Sequence, residues 1–276
     1  MDKLELMVFN VGHGLSVALV ERPSPYITLI DLGADTGFTP LKYLRLKLHL
    51  QPDVLYITHP HADHLDDVET ALDQNFRPVA LYYQDYDWAD VKRRERPQLG
   101  YKIDDFRELI RILPKKSYAG SGSLREWRFT PENAKKAFGE TSYVNNSSLF
   151  LIYSWRDFKI SIAGDQESSA MEGLLQSAEF VKQAAKTDIL IPSHHGHKNG
   201  FPTGWVGKIG KPHITIISVQ ERDPSVDSRY SKTEFARGVN IGGVARNMLT
   251  TRADGNILVT MWYGTDGSPK WSFEFF

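Results

Sequence analysis

The stretch Thr58-His59-Pro60-His61-Ala62-Asp63-His64-Leu65-Asp66-Asp67 constrains this chain more than any other. It follows directly on the apolar run Val54-Leu55-Tyr56-Ile57, which reads as a short buried strand. Three histidines and three carboxylates fall within nine positions there. Neutral imidazole and carboxylate are the nitrogen and oxygen ligands that zinc and manganese accept. The bland alternative is a solvated loop that caps the next helix through Asp63. Caps rarely use imidazole, and the whole chain holds only 9 histidines in 276 residues. The segment is read as a metal loop that can serve two neighbouring ions. A metal site draws ligands from several elements, so more must come from elsewhere in the chain.

Those further ligands must also be nitrogen or oxygen. The chain has no cysteine, which excludes disulfides and thiolate zinc sites. Lys plus Arg is 33 against 34 for Asp plus Glu, a formal net charge of −1. There is no global pull toward nucleic acid, so a polyanion would need a local basic groove. With 41% hydrophobic and 24% charged residues the chain reads as globular. Its length suits one large domain, 1–276, with room for an insertion. The start Met1-Asp2-Lys3-Leu4-Glu5 lacks the apolar core of a signal peptide, and no 18-residue apolar stretch occurs. No membrane span is expected, and a cytoplasmic location is the default expectation.

In chain order, Leu4–Asn10 and Leu15–Val20 read as strands joined by Val11-Gly12-His13-Gly14. Tyr26–Ile30 is a third strand ending in Asp31-Leu32-Gly33, either simple turn chemistry or a carboxylate delivered to a loop face. Thr39-Pro40 opens a helix with Leu41, Leu44, Leu48 and Leu50 on its buried side. Val54–Ile57, the metal loop and a helix over Leu65–Leu72 then give strand, loop, helix, an α/β layout. After a strand at Val79–Tyr83 the pattern degrades. Gln84–Gly100 carries Asp85, Asp87, Trp88, Asp90 and the basic cluster Lys92-Arg93-Arg94-Glu95-Arg96. Such a run is a solvated helix face or a basic, aromatic-bearing arm for a polyanion. Ile103–Leu113 has helical spacing and Ser117–Ser123 is a Gly/Ser-rich loop, so about 84–123 is the candidate insertion or lid.

The second half resumes with strands at Leu149–Tyr153 and Phe158–Ala163, the latter running into Gly164-Asp165. Helices at Ser168–Leu175 and Glu179–Ala185 lead to Asp188–Pro192 and then Ser193-His194-His195-Gly196-His197. Further strands are expected at His213–Ser218, Met248–Thr251, Ile257–Trp262 and Trp271–Phe275, and a short helix at Thr233–Arg237. Three strand ends thus deliver candidate ligands: His59 to His64, Asp165, and the His194-His195 pair. Polar His/Asp loops behind apolar strands are what the active edge of an α/β protein looks like.

The His59-x-His61-x-Asp63-His64 motif resembles that of the metallo-β-lactamase-fold hydrolases. More narrowly, the chain resembles the β-lactamase-like domain of ComEC-type late-competence proteins. Asn10-Val11-Gly12-His13-Gly14-Leu15 is similar to that group's early Asp-Val-Gly-Gln-Gly-Asp segment, and Leu29-Ile30-Asp31-Leu32-Gly33 to its Leu-Ile-Asp-x-Gly. Asn145-Asn146-Ser147-Ser148, Ala163-Gly164-Asp165, His194-His195-Gly196-His197 and Arg252-Ala253-Asp254-Gly255 match its later segments in order. The chain departs at His13 and Leu15, where the group has Gln and Asp, and at His197, where it has Ser. A late histidine is replaced by Tyr230-Ser231-Lys232-Thr233, and His197 is a candidate for its role.

The resemblance implies an α/β fold of the αββα sandwich type, two mixed β-sheets flanked by helices, with two divalent metal ions (Zn2+ or Mn2+) at one edge. It implies that His59 and His61 bind one ion and Asp63 and His64 the other, with Asp165 bridging and His194 or His195 completing the set. Asp63, His64 and Asp165 are expected to carry the chemistry. Asp31, His13, Asn146 and His197 are expected to orient ligands or touch substrate, Asp31 by hydrogen-bonding the histidine loop. Two cations roughly 3.5–4 Å apart acidify a bridging water and clamp phosphoryl oxygens. The expected activity is therefore a metal-dependent hydrolase of phosphodiesters, a DNA or RNA nuclease first of all.

The alternatives are a hydrolase of a small cyclic nucleotide, phosphonate ester, thioester or lactam, and a metal-bearing regulatory subunit that needs a partner chain or a second copy. A basic groove of Lys92–Arg96, Lys115, Lys116 and Arg125 would favour the nuclease. A closed pocket under 84–123 would favour the small substrate. An exposed apolar patch around Trp205 or Trp271–Phe276 would favour the partner. No nucleophile elbow and no phosphate-binding Gly-x-x-x-x-Gly-Lys loop is present.

Overall fold

The computed structural model describes residues 2–113, 123–221 and 223–276. The chain divides into two compact units, Met1–Gly120 with Gly255–Phe276, and Ser121–Asp254. Strands are numbered in chain order.

The first unit holds a seven-stranded mixed sheet. Its strands are β1 (Lys3–Val8), β2 (Val17–Arg22), β3 (Tyr26–Ile30), β4 (Val54–Tyr56), β5 (Ala80–Tyr82), β14 (Ile257–Tyr263) and β15 (Pro269–Phe275). Their order across the sheet is β15-β14-β1-β2-β3-β4-β5. The pairs from β15 to β3 are antiparallel, whereas β3, β4 and β5 run parallel. Leu4, Leu6, Leu29, Ile30 and Leu55 are wholly buried, as the Leu/Ile/Val content of these runs requires. The helix Gly100–Ile112 buries Ile103, Phe106 and Leu109, three residues apart each time, and packs against the helix Val68–Asp73.

The second unit holds a six-stranded mixed sheet of β6 (Ser123–Trp127), β7 (Phe150–Trp155), β8 (Phe158–Ile162), β9 (Ile189–Ile191), β10 (Ile214–Ile217) and β13 (Met248–Thr250). The order is β13-β10-β9-β8-β7-β6, antiparallel from β6 to β8 and parallel from β8 to β13. β11 (Val239–Ile241) and β12 (Val244–Arg246) form a separate two-stranded antiparallel sheet. The helices Ser168–Leu174 and Ala178–Ala184 place Met171, Leu174, Phe180 and Ala184 in one cluster with Phe150, Ile152, Leu190 and Ile217 of the sheet. Trp205 and Tyr230 complete this core. Each fully buried aromatic there contributes about 1.5–3 kcal/mol of apolar burial.

The chain is thus a mixed α/β protein with two mixed sheets flanked by helices, as expected. In both units the candidate site residues follow the carboxyl ends of parallel strands: Asp31 after β3, the metal loop after β4, Asp165 after β8 and His194 after β9. Within each unit the two loops lie beside one another because their strands, β3 with β4 and β8 with β9, are parallel neighbours.

Local differences from the expectations have physical causes. The segment after Pro40 makes one α-turn, Pro40–Lys42, and then a wider turn, Tyr43–Lys47, in which the Leu48 amide reaches back to the Tyr43 carbonyl. The helix after the metal loop begins at Val68 because Ala62–His64 is spent on a 3-10 turn. Thr233–Arg237 is turn rather than helix. The helix Pro131–Phe138, capped by the Thr130 hydroxyl, and strand β6 were hidden by their polar sequences. Of the Gly/Ser-rich stretch 117–123 only Ser123 is described, and Lys115 and Lys116 lie outside the described residues. Among the described residues no helix is long and apolar enough to cross a membrane.

Candidate metal centre

In the first unit the metal loop is organised by Asp31. This residue takes φ +59° at the end of β3, and its amide donates to the Tyr56 carbonyl at 2.8 Å. Its carboxylate, wholly buried, accepts three hydrogen bonds. The Thr58 amide donates to Oδ1 at 2.7 Å, and the Thr58 hydroxyl donates to Oδ2 at 2.7 Å. The His64 Nδ1–H donates to Oδ2, also at 2.7 Å. Burial pushes the Asp31 carboxyl above its ordinary range, and the neighbouring His64 ring and the hydrogen bonds from Thr58 pull it back.

One carboxylate thereby sets two tautomers. The Thr58 hydroxyl spends its proton on Asp31, so it accepts from His59 Nδ1–H, 3.2 Å away. With both Nδ1 atoms protonated, His59 and His64 present Nε2 lone pairs. His59 Nε2 lies 3.0 Å from His61 Nδ1, His64 Nε2 lies 3.7 Å from Asp63 Oδ2, and His13 Nε2 lies 3.6 Å from that same oxygen. Ligand atoms about 2.0–2.2 Å from a tetrahedral zinc sit about 3.3–3.6 Å from one another. The observed separations bracket that spacing, and His13, Asp63, His59 and His64 all belong to groups of residues that could hold a metal ion. The Asp63 side chain is 25% exposed, whereas His64 is wholly buried.

Neighbouring segments lock the loop. Gly14, at φ +124°, lies so close that a Cβ there would clash with the Asp63 carbonyl oxygen, and only glycine fits. Asp67 accepts from the Leu41 amide at 3.0 Å, and burial above all raises its carboxyl to about 6. Two residues of the expected lid segment also hold the loop. Glu95 accepts from the Ala62 amide at 3.0 Å, and Lys102 donates to Asp66. The basic cluster of that segment is engaged with carboxylates, Lys92 with Asp104, and Arg93 and Arg94 with Asp90.

In the second unit Asp165 follows β8 through Gly164, which takes φ +55°. His195 Nε2 lies 3.4 Å from Asp165 Oδ2, so of the His194-His195 pair it is His195 that faces the carboxylate. His194 instead stacks its ring on that of His197 at 5.1 Å, while its amide donates to the Gly164 carbonyl at 3.0 Å. His194 and His195 both sit at φ +52° and Gly196 at +73°. Two non-glycine residues in succession in the left-handed region are costly, and such strain collects at functional sites. His197 Nε2 lies 3.0 Å from Asp223 Oδ2. Burial pulls the Asp223 carboxyl up, but bonds from Ser225 and His197 outweigh it and hold it down at about 2. Asn146 uses both ends of its amide on Glu167, accepting from its backbone at 2.9 Å and donating to its carboxylate at 3.3 Å.

Thr58, Glu95 and Asp223 are therefore parts of these sites that the sequence reading passed over. Thr58 carries no signal beyond its place before His59, Glu95 was submerged in a charge run, and Asp223 lies 26 residues from its histidine. Trp205, considered above as part of an exposed patch, is wholly buried in the second unit's core.

No protein-family model matches the chain, and no curated protein does. Solved structures do resemble it. One is the metallo-β-lactamase fold protein YhfI from Bacillus subtilis, at 11% identity over 79% of this chain and 86% of that one, with a TM-score of 0.47. Another is the short form of human tRNase Z, at 14% identity over 78% of this chain and 93% of that one, with a TM-score of 0.43. A third is CmlA, a diiron β-hydroxylase from Streptomyces venezuelae, at 19% identity over 76% of this chain and TM-score 0.43. The chain spans only 38% of CmlA.

Proposed function

We propose that this chain is a metal-dependent hydrolase of phosphodiesters. The observation that carries the reading is the Asp31–Thr58–His59/His64 relay, which turns two buried imidazoles to present Nε2. The ligands proposed are His59, His61, Asp63 and His64 in the first unit, and Asp165 with His194 or His195 in the second. His13, whose Nε2 faces Asp63, is proposed as a contact to substrate or metal. Two divalent ions, Zn2+ or Mn2+, would supply Lewis acidity toward phosphoryl oxygens and a water acidified toward neutral pH.

The chain's own residues would do the rest. Asp31 and Thr58 hold His59 and His64 in one tautomer and orientation, so little reorganisation is needed as charge develops. Asp63, whose side chain is 25% exposed, would take the proton of the attacking water. The two-sign pairing of Lys92, Arg93 and Arg94 argues against a long polyanion track on that helix. DNA and RNA remain the first substrates to test, with cyclic nucleotides beside them.

The test is metal analysis of purified protein together with hydrolysis of single- and double-stranded DNA, RNA, cyclic nucleotides and a chromogenic phosphodiester, in Mn2+ or Zn2+. An Asp63→Ala/His64→Ala variant runs alongside. Bound metal and activity lost in the variant would support the reading. A chain that retains no metal, or behaves like the variant on every substrate, overturns it.

A further inference from the structure

The longest edge strand of the first unit is β15, seven residues at the end of its sheet, whereas the opposite edge, β5, has only three. Long edge strands are templates for pairing with another chain unless something blunts them. The phase of β15 follows from its ends. The Asn256 and Phe276 amides and carbonyls bond reciprocally at 3.1 Å, and the Gly264 amide donates to the Ser268 carbonyl at 2.9 Å. Alternation then turns the backbone groups of Lys270, Ser272 and Glu274 toward β14, and those of Trp271, Phe273 and Phe275 outward along the edge. The side chains of Trp271 and Phe273 stand opposite the buried Met261 and Val259 of β14, so the apolar face of the sheet runs out through Phe273 to Phe275, which is 40% exposed.

We propose that β15 is a self-association edge, joining a second copy of this chain by antiparallel strand pairing across a two-fold axis at Ser272. Three features of the strand point to a copy of itself rather than to another partner. First, this register places Trp271 opposite Phe273 of the second copy, both with outward backbone groups, so their hydrogen bonds match in phase. Second, Lys270 and Glu274 are equidistant from Ser272, so each lysine falls opposite a glutamate of the other copy, twice over by symmetry. Third, the registers centred on Trp271 or Phe273 keep the backbone phase but lose the Lys–Glu match, setting Glu274 opposite Ser268 or Ser272. The charge pattern therefore selects one register. Lysine on an edge strand ordinarily discourages pairing, and here its complement sits on the same strand.

The inference is independent of the metal chemistry and is tested without it. Sedimentation velocity of the whole chain over a range of concentrations should show a monomer–dimer equilibrium. Lys270→Glu and Glu274→Lys should each weaken the dimer by roughly tenfold, because like charges then face each other. The double swap, Lys270→Glu/Glu274→Lys, should restore it. The chain has no native cysteine, so Ser272→Cys offers an orthogonal reading. A facing pair of this type has Cα atoms about 4.5 Å apart, within disulfide range, and should crosslink under mild oxidation. Thr265→Cys, in the β14–β15 turn, should not. A monomer at every concentration overturns the proposal, and so does a dimer indifferent to the charge swap or crosslinking equally through both cysteines.

Discussion

Asp31 and His64, 33 residues apart in sequence, meet through a 2.7 Å hydrogen bond between Oδ2 and Nδ1, with both side chains wholly buried. A buried carboxylate on a histidine fixes the tautomer and raises the basicity of the opposite nitrogen. Asp31→Asn keeps the size but loses an acceptor for the His64 N–H. The expected result is metal affinity lower by about 10–100-fold with the fold retained. Asp31→Ala also strips the acceptor from the Thr58 amide and hydroxyl, and should cost about 3 kcal/mol or more. Metal titration and chemical denaturation separate the two effects, and unchanged metal affinity in Asp31→Asn would sink the relay.

Asp63 gives the complementary case. Its side chain is partly exposed, so Asp63→Ala should change stability by less than about 1 kcal/mol. It should nonetheless lower metal stoichiometry and abolish hydrolysis. Removing metal from the wild type with a chelator should lower its melting temperature, because a ligand bound only to the folded state stabilises by mass action. A chelator-insensitive melt would count against a resident ion.

Asp67 predicts a pH dependence. Its carboxyl is raised from the usual 3.8 to about 6, chiefly by burial. Between about pH 4 and pH 6 the folded chain holds a proton that the unfolded chain has released, so stability falls as pH rises through that window. The stabilisation is fully present below pH 4 and gone above about pH 6, and is on the order of 2–3 kcal/mol. Denaturation midpoints of wild type and Asp67→Asn should converge or cross above pH 6, with the slope missing in the variant. Parallel curves would assign the effect to another group.

The strained histidine pair makes a prediction of opposite sign. At φ +52° a glycine relaxes what histidine cannot. His194→Gly should therefore be about 1 kcal/mol more stable than His194→Ala, read by thermal melts of the two variants. Equal stabilities would mean that the loop relaxes on its own.

Most strands and the helices Ser168–Leu174 and Ala178–Ala184 could be read from the sequence, because apolar runs of four to eight residues bounded by Gly, Pro and Asp carry their signal locally. Strand β6 and the helix Pro131–Phe138 could not, since their residues are polar and their assignment depends on what they pack against. The same limit governed the site. His59, His61, Asp63 and His64 stood out because ligand chemistry is written in residue type and short spacing, and Asp165 and the His194-His195 pair because each follows an apolar strand.

What the sequence determined by itself was which loops could carry metal chemistry: side-chain types at strand ends are a local property. What only the tertiary structure decided was how those side chains are turned. Asp31 reaches His64 because β3 and β4 are parallel neighbours, and Thr58 passes the same proton order on to His59. Glu95 became a brace for the Ala62 amide, and Lys92, Arg93 and Arg94 became partners of Asp104 and Asp90 rather than an open basic arm. A hydrogen bond has a reach of about 3 Å and a preferred direction, and residues 33 apart acquire both only when the sheet has brought them side by side.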